Sequence, residues 1–161
     1  MVELLKKILM IHKKIVLLFL FCSCTLASAA QSVHRIDSLE NALLQKRNIE
    51  DKITILWTLS NEFLNSDTSK ALSYGMKAYN LAESEGDTKG RIVSSLFLAK
   101  TFYFLSDLNK AMEYAVKAKN LADDNHLDLE LAGSLDAIGM IYYDIGNQAK
   151  SSEYFYTSLK I

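Results

Sequence analysis

The sequence SDTSKALSYGMKAYNLA runs from Ser66 to Ala82, and forty residues later the chain reads SDLNKAMEYAVKAKNLA, from Ser106 to Ala122. Ten of the seventeen aligned letters are identical. A period of about 20–50 residues is typical of stacked-repeat proteins, in which each unit packs mainly against its neighbours. The sequence therefore predicts an array of similar units instead of a single irregular core.

The forty-residue register extends into a third copy. The aligned sets are Lys70, Lys110 and Lys150; Tyr74, Tyr114 and Tyr154; Ala71, Ala111 and Ser151; and Ala78, Ala118 and Ser158. Small residues at helical spacing let two helices approach closely, and a large side chain there would overpack the joint by roughly 1–3 kcal/mol. We interpret the repeated segment as the residues that allow neighbouring helices to pack closely.

Each copy has the pattern of two helices. An aromatic-rich segment from Val93 to Phe104 ends at the letters SDLN, where Ser106 or Asp107 can accept backbone N–H bonds at the start of the next helix. That next helix has apolar letters at three- and four-residue steps. The chain contains no proline, which suits a run of helices. Since a two-helix hairpin cannot bury its apolar face alone, each copy needs a neighbour of the same shape.

The first thirty residues have the pattern of a secretory signal: MVELLKKILMIHKK is a basic leader, IVLLFLFC an apolar core and TLASAA a small-residue cleavage site. We expect cleavage after Ala30, with Ala29 as the neighbouring alternative, and an exported protein in the periplasm or otherwise outside the cytoplasm. An uncleaved anchor is the competing interpretation, although the uncharged stretch from Ile15 is shorter than the roughly twenty residues of a membrane span. Lipid attachment at Cys22 or Cys24 is a weaker alternative.

Charge and residue types argue against several classes of function. The net charge of the 161-residue chain is −1, and it becomes −4 without the predicted signal, because that segment carries four lysines and one glutamate. A slightly acidic chain without a basic stripe should be repelled by phosphates, so we expect no nucleic-acid partner. Both cysteines lie in the signal, and neither His34 nor His126 has metal-ligand spacing around it. We therefore expect no metal, no cofactor and no enzymatic activity.

The third copy, LDAIGMIYYDIGNQAKSSEYFYTSL, resembles a tetratricopeptide repeat. The resemblance is carried by a leucine, an apolar residue with glycine, a tyrosine and a turn glycine, namely Leu135, Ile138 with Gly139, Tyr142 and Gly146. The second copy matches at Leu98, Ala99, Phe102, Ala111, Tyr114, Ala118 and Leu121, and the first at Leu56, Leu59, Ser60, Phe63, Ala71 and Ala78, after a turn shortened by one residue. Two features depart from the family: the period is forty residues instead of about 34, and the proline after the second helix is missing.

The resemblance implies an all-α fold, a right-handed α-solenoid of helix-turn-helix repeats. We assign residues 31–50 to an N-terminal capping helix and 51–161 to about three repeats, with boundaries at 51–87, 88–127 and 128–161. The last copy has no polar helix after it, so either the sequence is a fragment of a longer protein or another chain completes the stack. We expect self-association through this uncapped C-terminal repeat.

In the family that this chain resembles, the first helices of the hairpins line a concave groove that holds protein or peptide segments. The corresponding candidates are Trp57, Asn61, Lys100, Tyr103, Asp136, Met140, Tyr143 and Asp144, with Leu64 and Phe104 beside them. Trp57 and Phe104 are equally compatible with the core between repeats. Only Asn61 and Lys100 fit the family's carboxylate-clamp set, so capture of a C-terminal carboxylate is not expected.

These expectations lead to one principal hypothesis and two alternatives. The principal hypothesis is an exported, non-enzymatic scaffold that binds a protein or peptide in the groove. The first alternative is the extracytoplasmic input region of a sensor histidine kinase or a similar regulator, whose long-period repeats this chain resembles. The second alternative is carbohydrate binding through an aromatic floor that includes Tyr103 and Tyr143.

Overall fold

The computed structural model describes residues 34–46 and 48–161. The predicted signal segment, residues 1–30, lies outside these ranges. The repeats lie in the compact unit Leu39–Ile161. Every regular element of the described residues is an α-helix, as the repeat pattern predicts. The helices are α1 (residues 34–45), α2 (Ile49–Phe63), α3 (Thr68–Ser84), α4 (Thr88–Phe104), α5 (Leu108–Asp124), α6 (Asp128–Asp144) and α7 (Gln148–Ser158).

The helices from α3 to α7 begin 20 residues apart, which is half the sequence period. Helices α3 to α6 each have 17 residues, and the cap residues that precede α3, α4, α5 and α7 are Asp67, Asp87, Asp107 and Asn147. The side chain of each accepts a hydrogen bond from the backbone N–H three residues later, at 2.9–3.2 Å. Such a cap satisfies one of the unpaired donors at a helix start and contributes about 1 kcal/mol. The sequence allowed Ser106 or Asp107 as the cap of α5, and the structure shows that Asp107 is the cap.

Helix α6 begins differently. Its cap position is Leu127, which forms no side-chain cap bond. The Leu127 side chain instead packs against a buried cluster of Ile92, Ala118 and Ala122. At the start of α6, the packing of Leu127 against α4 and α5 therefore takes the place of a polar cap.

Four turns share one backbone conformation. The residues with positive φ are Gly86, Ser106, His126 and Gly146, at 69°, 60°, 53° and 82°. In each turn the next N–H donates to the carbonyl five residues earlier, as in Asp107 to Phe102 at 2.9 Å, which closes the end of the preceding helix. The turn between α2 and α3 is one residue shorter, because Asp67 donates to the carbonyl of Phe63, only four residues earlier. This is the shortened turn that the sequence alignment requires.

Consecutive helices pack against each other, and small residues lie at the joints. Ala71, Ala78, Ala111 and Ala118 are fully buried, as the repeated register predicts. Glycine at position 139 allows an even closer approach, since a Cβ atom there would lie 3.0 Å from the ring of Phe155. The largest fully buried side chains of the core are Leu59, Ile92, Leu98, Ile138 and Ile141.

The aligned lysines and tyrosines form the same group in all three hairpins. In each, the tyrosine of the second helix stacks on an aromatic ring of the first: Phe63 with Tyr74, Phe102 with Tyr114, and Tyr142 with Tyr154, at centroid distances of 5.5–5.7 Å. The aligned lysines Lys70, Lys110 and Lys150 each place Nζ 4.9–5.1 Å from the centroid of the first-helix ring. Stacking and cation–π contacts of this kind contribute roughly 0.5–1.5 kcal/mol each. They explain why these two residue types keep register.

Candidate functional site

The first helices of the three hairpins form one surface. Helix α2 packs on α4 and α4 packs on α6, whereas the second helices α3 and α5 make no comparable contact. First helices that lie closer together than second helices occupy the inner side of a curved stack. On each of them, side chains at steps of four and three residues point to the same side. We call this inner surface of α2, α4 and α6 the groove.

Two contacts join α2 to α4 within the groove. The rings of Trp57 and Phe97 stack with their centroids 4.7 Å apart and their planes inclined by 16°. One turn further along, Lys100 Nζ donates to Asn61 Oδ1 at 3.0 Å. The three predicted groove residues Trp57, Asn61 and Lys100 thus lie side by side. Trp57 contributes both to the packing of neighbouring repeats and to the groove wall.

An apolar cavity of about 460 Å³ lies between α4 and α6. Its lining includes Leu96, Ala99, Phe104, Met140 and Ile141, together with Lys100 and Tyr103. Ile141 is buried, while Phe104 and Met140 are about half exposed at 50% and 49%. The cavity therefore has an aliphatic floor at Ile141, a half-exposed rim at Phe104 and Met140, and one ammonium group beside it.

Tyr103 and Asp144 join α4 to α6 beside this cavity. A hydrogen bond to the Asp144 carboxylate, with smaller contributions from burial and from the negative charge, raises the pKa of Tyr103 above its usual value. The Tyr103 ring also meets the Phe104 ring edge to face, with centroids 6.2 Å apart. The Tyr103 phenol on α4 thereby interacts with a residue of α6, the neighbouring first helix.

A second cavity of about 330 Å³ lies between α2 and α4, towards the starts of these helices. Its lining includes the aromatic Trp57, the aliphatic Ile53 and Val93, and the charged Glu50, Asp87 and Lys89. Lys89 Nζ lies 3.2 Å from Glu130 Oε1 on α6. This cavity is more polar than the first, with carboxylates at its rim.

The remaining predicted residues are less enclosed. Asp136 and Tyr143 are exposed, and neither lines the larger cavity, whereas Met140 does. Leu64, placed on the groove by the sequence, is buried with 4% exposure, so that assignment is wrong. Leu64 follows the last residue of α2, at the start of the shortened turn, and its side chain belongs to the core.

Sequence reasoning missed several residues that shape the groove. Val93, Leu96 and Phe97 all lie on the groove side of α4, as their contacts show. Stepping back from Lys100 by four and seven residues reaches Leu96 and Val93, so the helical period could have identified these two. Phe97 is found only through its contact with Trp57.

Among residues 34–46 and 48–161, His, Cys, Asp and Glu side chains do not cluster in groups of three that could hold a metal ion. The helices in the same ranges lack the length and apolar character of a membrane span.

Comparisons with known proteins bear on the fold. No protein-family model matches the sequence, and the curated proteins contain no match either. Among solved structures, the tetratricopeptide repeat domain of FLU from Arabidopsis superposes with a TM-score of 0.63 at 18% identity, over 70% of this chain and 96% of that one. The fold is that of a tetratricopeptide repeat array.

A second solved structure agrees with this array. BtubC from P. vanneervenii superposes with a TM-score of 0.67 at 16% identity and covers 81% of this chain. The present chain spans about half the length of BtubC, since 54% of that chain is covered. At these identities the similarity concerns the tetratricopeptide-like fold, and the groove is described by its own side chains.

Proposed function

We propose that this protein is an exported, non-enzymatic scaffold that binds a peptide segment in the groove. The observation that carries the proposal is the apolar cavity between α4 and α6, which opens beside the ammonium group of Lys100. An apolar pocket with a few polar groups at its rim suits side-chain recognition, in which burial supplies affinity and the polar groups fix orientation.

The composition of the groove supports a polypeptide ligand. Lys100 donates to the neutral amide oxygen of Asn61, so its positive charge stays available to a ligand. Tyr103 combines an apolar ring with a polar tip, a combination common at protein interfaces. A backbone with alternating polar and apolar side chains can use both kinds of group at once.

Peptide selection would test this function. Random peptides displayed on phage would be selected on the protein produced from the full sequence, and recovered peptides measured by fluorescence anisotropy. We expect Met140→Glu to lower their affinity about tenfold or more, because it places a charge at the rim of the apolar cavity. Val116→Glu on α5 is the matched control, since Val116 is a partly exposed apolar residue outside both cavities. Failure to enrich peptides, or an equal loss in both variants, would contradict the proposal.

Export is the second part of the proposal. Its support is the order of a basic leader, an apolar core and small residues in the first thirty positions. Cell fractionation and N-terminal sequencing would test it. We expect the processed chain outside the cytoplasm, beginning at Gln31, and an unprocessed chain in the cytoplasm would refute export.

The input region of a sensor kinase or similar regulator is a second candidate function. Exposed apolar side chains on the last hairpin favour it, because Tyr156, Leu159 and Ile161 present a surface that a following repeat would cover. Sedimentation of the protein separates this candidate from self-association. A dimer that Leu159→Glu dissociates supports a second copy on that face, and a stable monomer would show that the face needs no second copy.

A further inference from the structure

The two cavities of the groove are lined by one continuous stripe of α4. The smaller one contacts α4 from Lys89 to Val93, and the larger one contacts it from Leu96 to Phe104. Positions 89, 93, 96, 100 and 103 follow each other at steps of four and three, so they form a continuous stripe on the helix. A single extended ligand that follows α4 can therefore enter both cavities.

The rim of the smaller cavity is acidic. Glu50 lies in the first turn of α2, and Asp87 caps α4. The positive charge of Lys89 is balanced by Glu130, and that of Lys46 by Asp51. The two helix starts contribute about half a positive charge each, which offsets only one of the two carboxylates. The cavity keeps a net negative potential next to the Trp57 ring, and this combination attracts a cationic side chain.

The larger cavity favours an apolar side chain. Its walls are the aliphatic and aromatic groups of Leu96, Ala99, Phe104 and Met140, above the buried Ile141. Filling it removes apolar surface from water on both partners, which stabilises the complex by about 25 cal/mol per Å². A charged side chain would lose its hydration there, and only Lys100 stands at the rim to compensate an anion.

The distance between the cavities sets a spacing in the ligand. The midpoints of the two stretches of α4, Arg91 and Lys100, are about nine residues apart, or about 14 Å along the helix axis. The smaller cavity lies between α4 and α2 and the larger one between α4 and α6, and packed helices are about 8–10 Å apart. The resulting separation of about 17 Å equals about five residues of an extended chain.

From these observations we propose that the groove selects an extended peptide in which a lysine or arginine and a large apolar residue are about five positions apart. The basic side chain enters the cavity at Glu50, Asp87 and Trp57. The apolar side chain enters the cavity between α4 and α6. This inference rests on the proposed function, because it names the class of peptide that the same groove takes.

Peptide pools of fixed spacing test the proposal. Each pool carries one lysine and one leucine separated by two, three, five or eight positions in an otherwise random background of neutral polar residues, in both orders. The pools are selected on the protein produced from the full sequence. We expect the pool with five-residue spacing to be enriched about tenfold over those with two or eight.

A charge exchange tests the acidic cavity separately. With the best peptide from the five-residue pool, Glu50→Lys should lower affinity about tenfold, and replacing the peptide lysine by glutamate should restore it. The control is Glu113→Lys on α5, an exposed glutamate that lines neither cavity, and it should change affinity less than twofold. Circular dichroism verifies that both variants keep the helical content of the unaltered protein.

These outcomes distinguish a failure of the two-cavity inference from a failure of the proposed function. Peptides that bind in a Met140-dependent way, but without preference for spacing or for the lysine, would overturn the two-cavity inference and leave the proposed function standing. Absence of any peptide whose binding responds to Met140→Glu would overturn the proposed function and the inference with it.

Discussion

The phenol of Tyr103 on α4 interacts with the carboxylate of Asp144, the last residue of α6. The interaction joins consecutive repeats beside the apolar cavity, which Tyr103 also lines. Because a carboxylate accepts the phenolic proton, the interaction favours the neutral phenol and raises the pKa of Tyr103. One side chain of the groove thus serves both the joint between repeats and the site.

This interaction makes a measurable but small contribution to stability. We expect Tyr103→Phe and Asp144→Ala each to lower the free energy of unfolding by about 0.5 kcal/mol or less, because Asp144 is exposed and solvent weakens the interaction. The double variant should lose about as much as either single variant, since the same interaction is removed. Urea denaturation measures all three. Fully additive losses would show that the two side chains stabilise the fold independently.

The raised pKa of Tyr74 leads us to predict that folding stability falls at alkaline pH. Burial and a 2.7 Å hydrogen bond to Glu40 Oε1 raise the pKa of Tyr74 to about 12. A folded pKa above the unfolded value of about 10 means that the folded state holds the proton more tightly, so this stability is fully present below about pH 10 and lost as pH rises towards 12. We expect an effect on the order of 1 kcal/mol, after allowance for solvent around a partly exposed ring.

Thermal melts between pH 9 and pH 12 measure this contribution. The Tyr74→Phe variant should show a shallower decline of Tm over that range than the unaltered protein. Tyr156→Phe is the matched control, because Tyr156 is exposed on α7. Identical slopes for Tyr74→Phe and the unaltered protein would contradict the assignment.

Two glycines of α6 should respond in opposite directions. A Cβ at position 139 meets the Phe155 ring at 3.0 Å, whereas at position 133 the nearest atom of another residue is 3.9 Å away, in Leu96. We expect Gly139→Leu to lower the free energy of unfolding by about 1–3 kcal/mol through overpacking. Gly133→Ala should raise it by about 0.5–1 kcal/mol through helix propensity. Urea denaturation of both variants measures these changes. An unchanged free energy of unfolding in Gly139→Leu would show that α7 can move away without loss of stability.

The turns offer a second test of the repeat geometry. Ser106 and His126 adopt the left-handed conformation that glycine occupies at 86 and 146. Since a side chain disfavours that conformation by roughly 1–2 kcal/mol, and glycine loses some of this gain to the entropy of the unfolded chain, we expect Ser106→Gly and His126→Gly each to stabilise the protein by about 0.5–1 kcal/mol. The reverse change, Gly86→Ala, should destabilise it. Differential scanning calorimetry of the three variants compares them, and a lower Tm for both glycine variants would refute the reasoning.

The sequence by itself determined the features that depend on neighbouring residues along the chain. The forty-residue hairpins, a cap at Ser106 or Asp107, the shortened turn before Asp67 and the buried alanines all follow from local signals. Capping, turn hydrogen bonds and helical periodicity act within five or six residues, so a single sequence carries them completely. The resemblance to the tetratricopeptide family, applied to matching helix positions, placed Trp57, Asn61 and Lys100 on a common face.

The tertiary structure alone decided how those faces meet. The stack of Trp57 on Phe97, the burial of Leu64, the partners of the aligned lysines and the spacing of the two cavities depend on the rotation of each helix against the next. That rotation results from side chains about forty residues apart packing into one another, and a difference of one residue in a turn alters it. A periodic sequence fixes which side of a helix is apolar, but only the packed array fixes which neighbour that side touches.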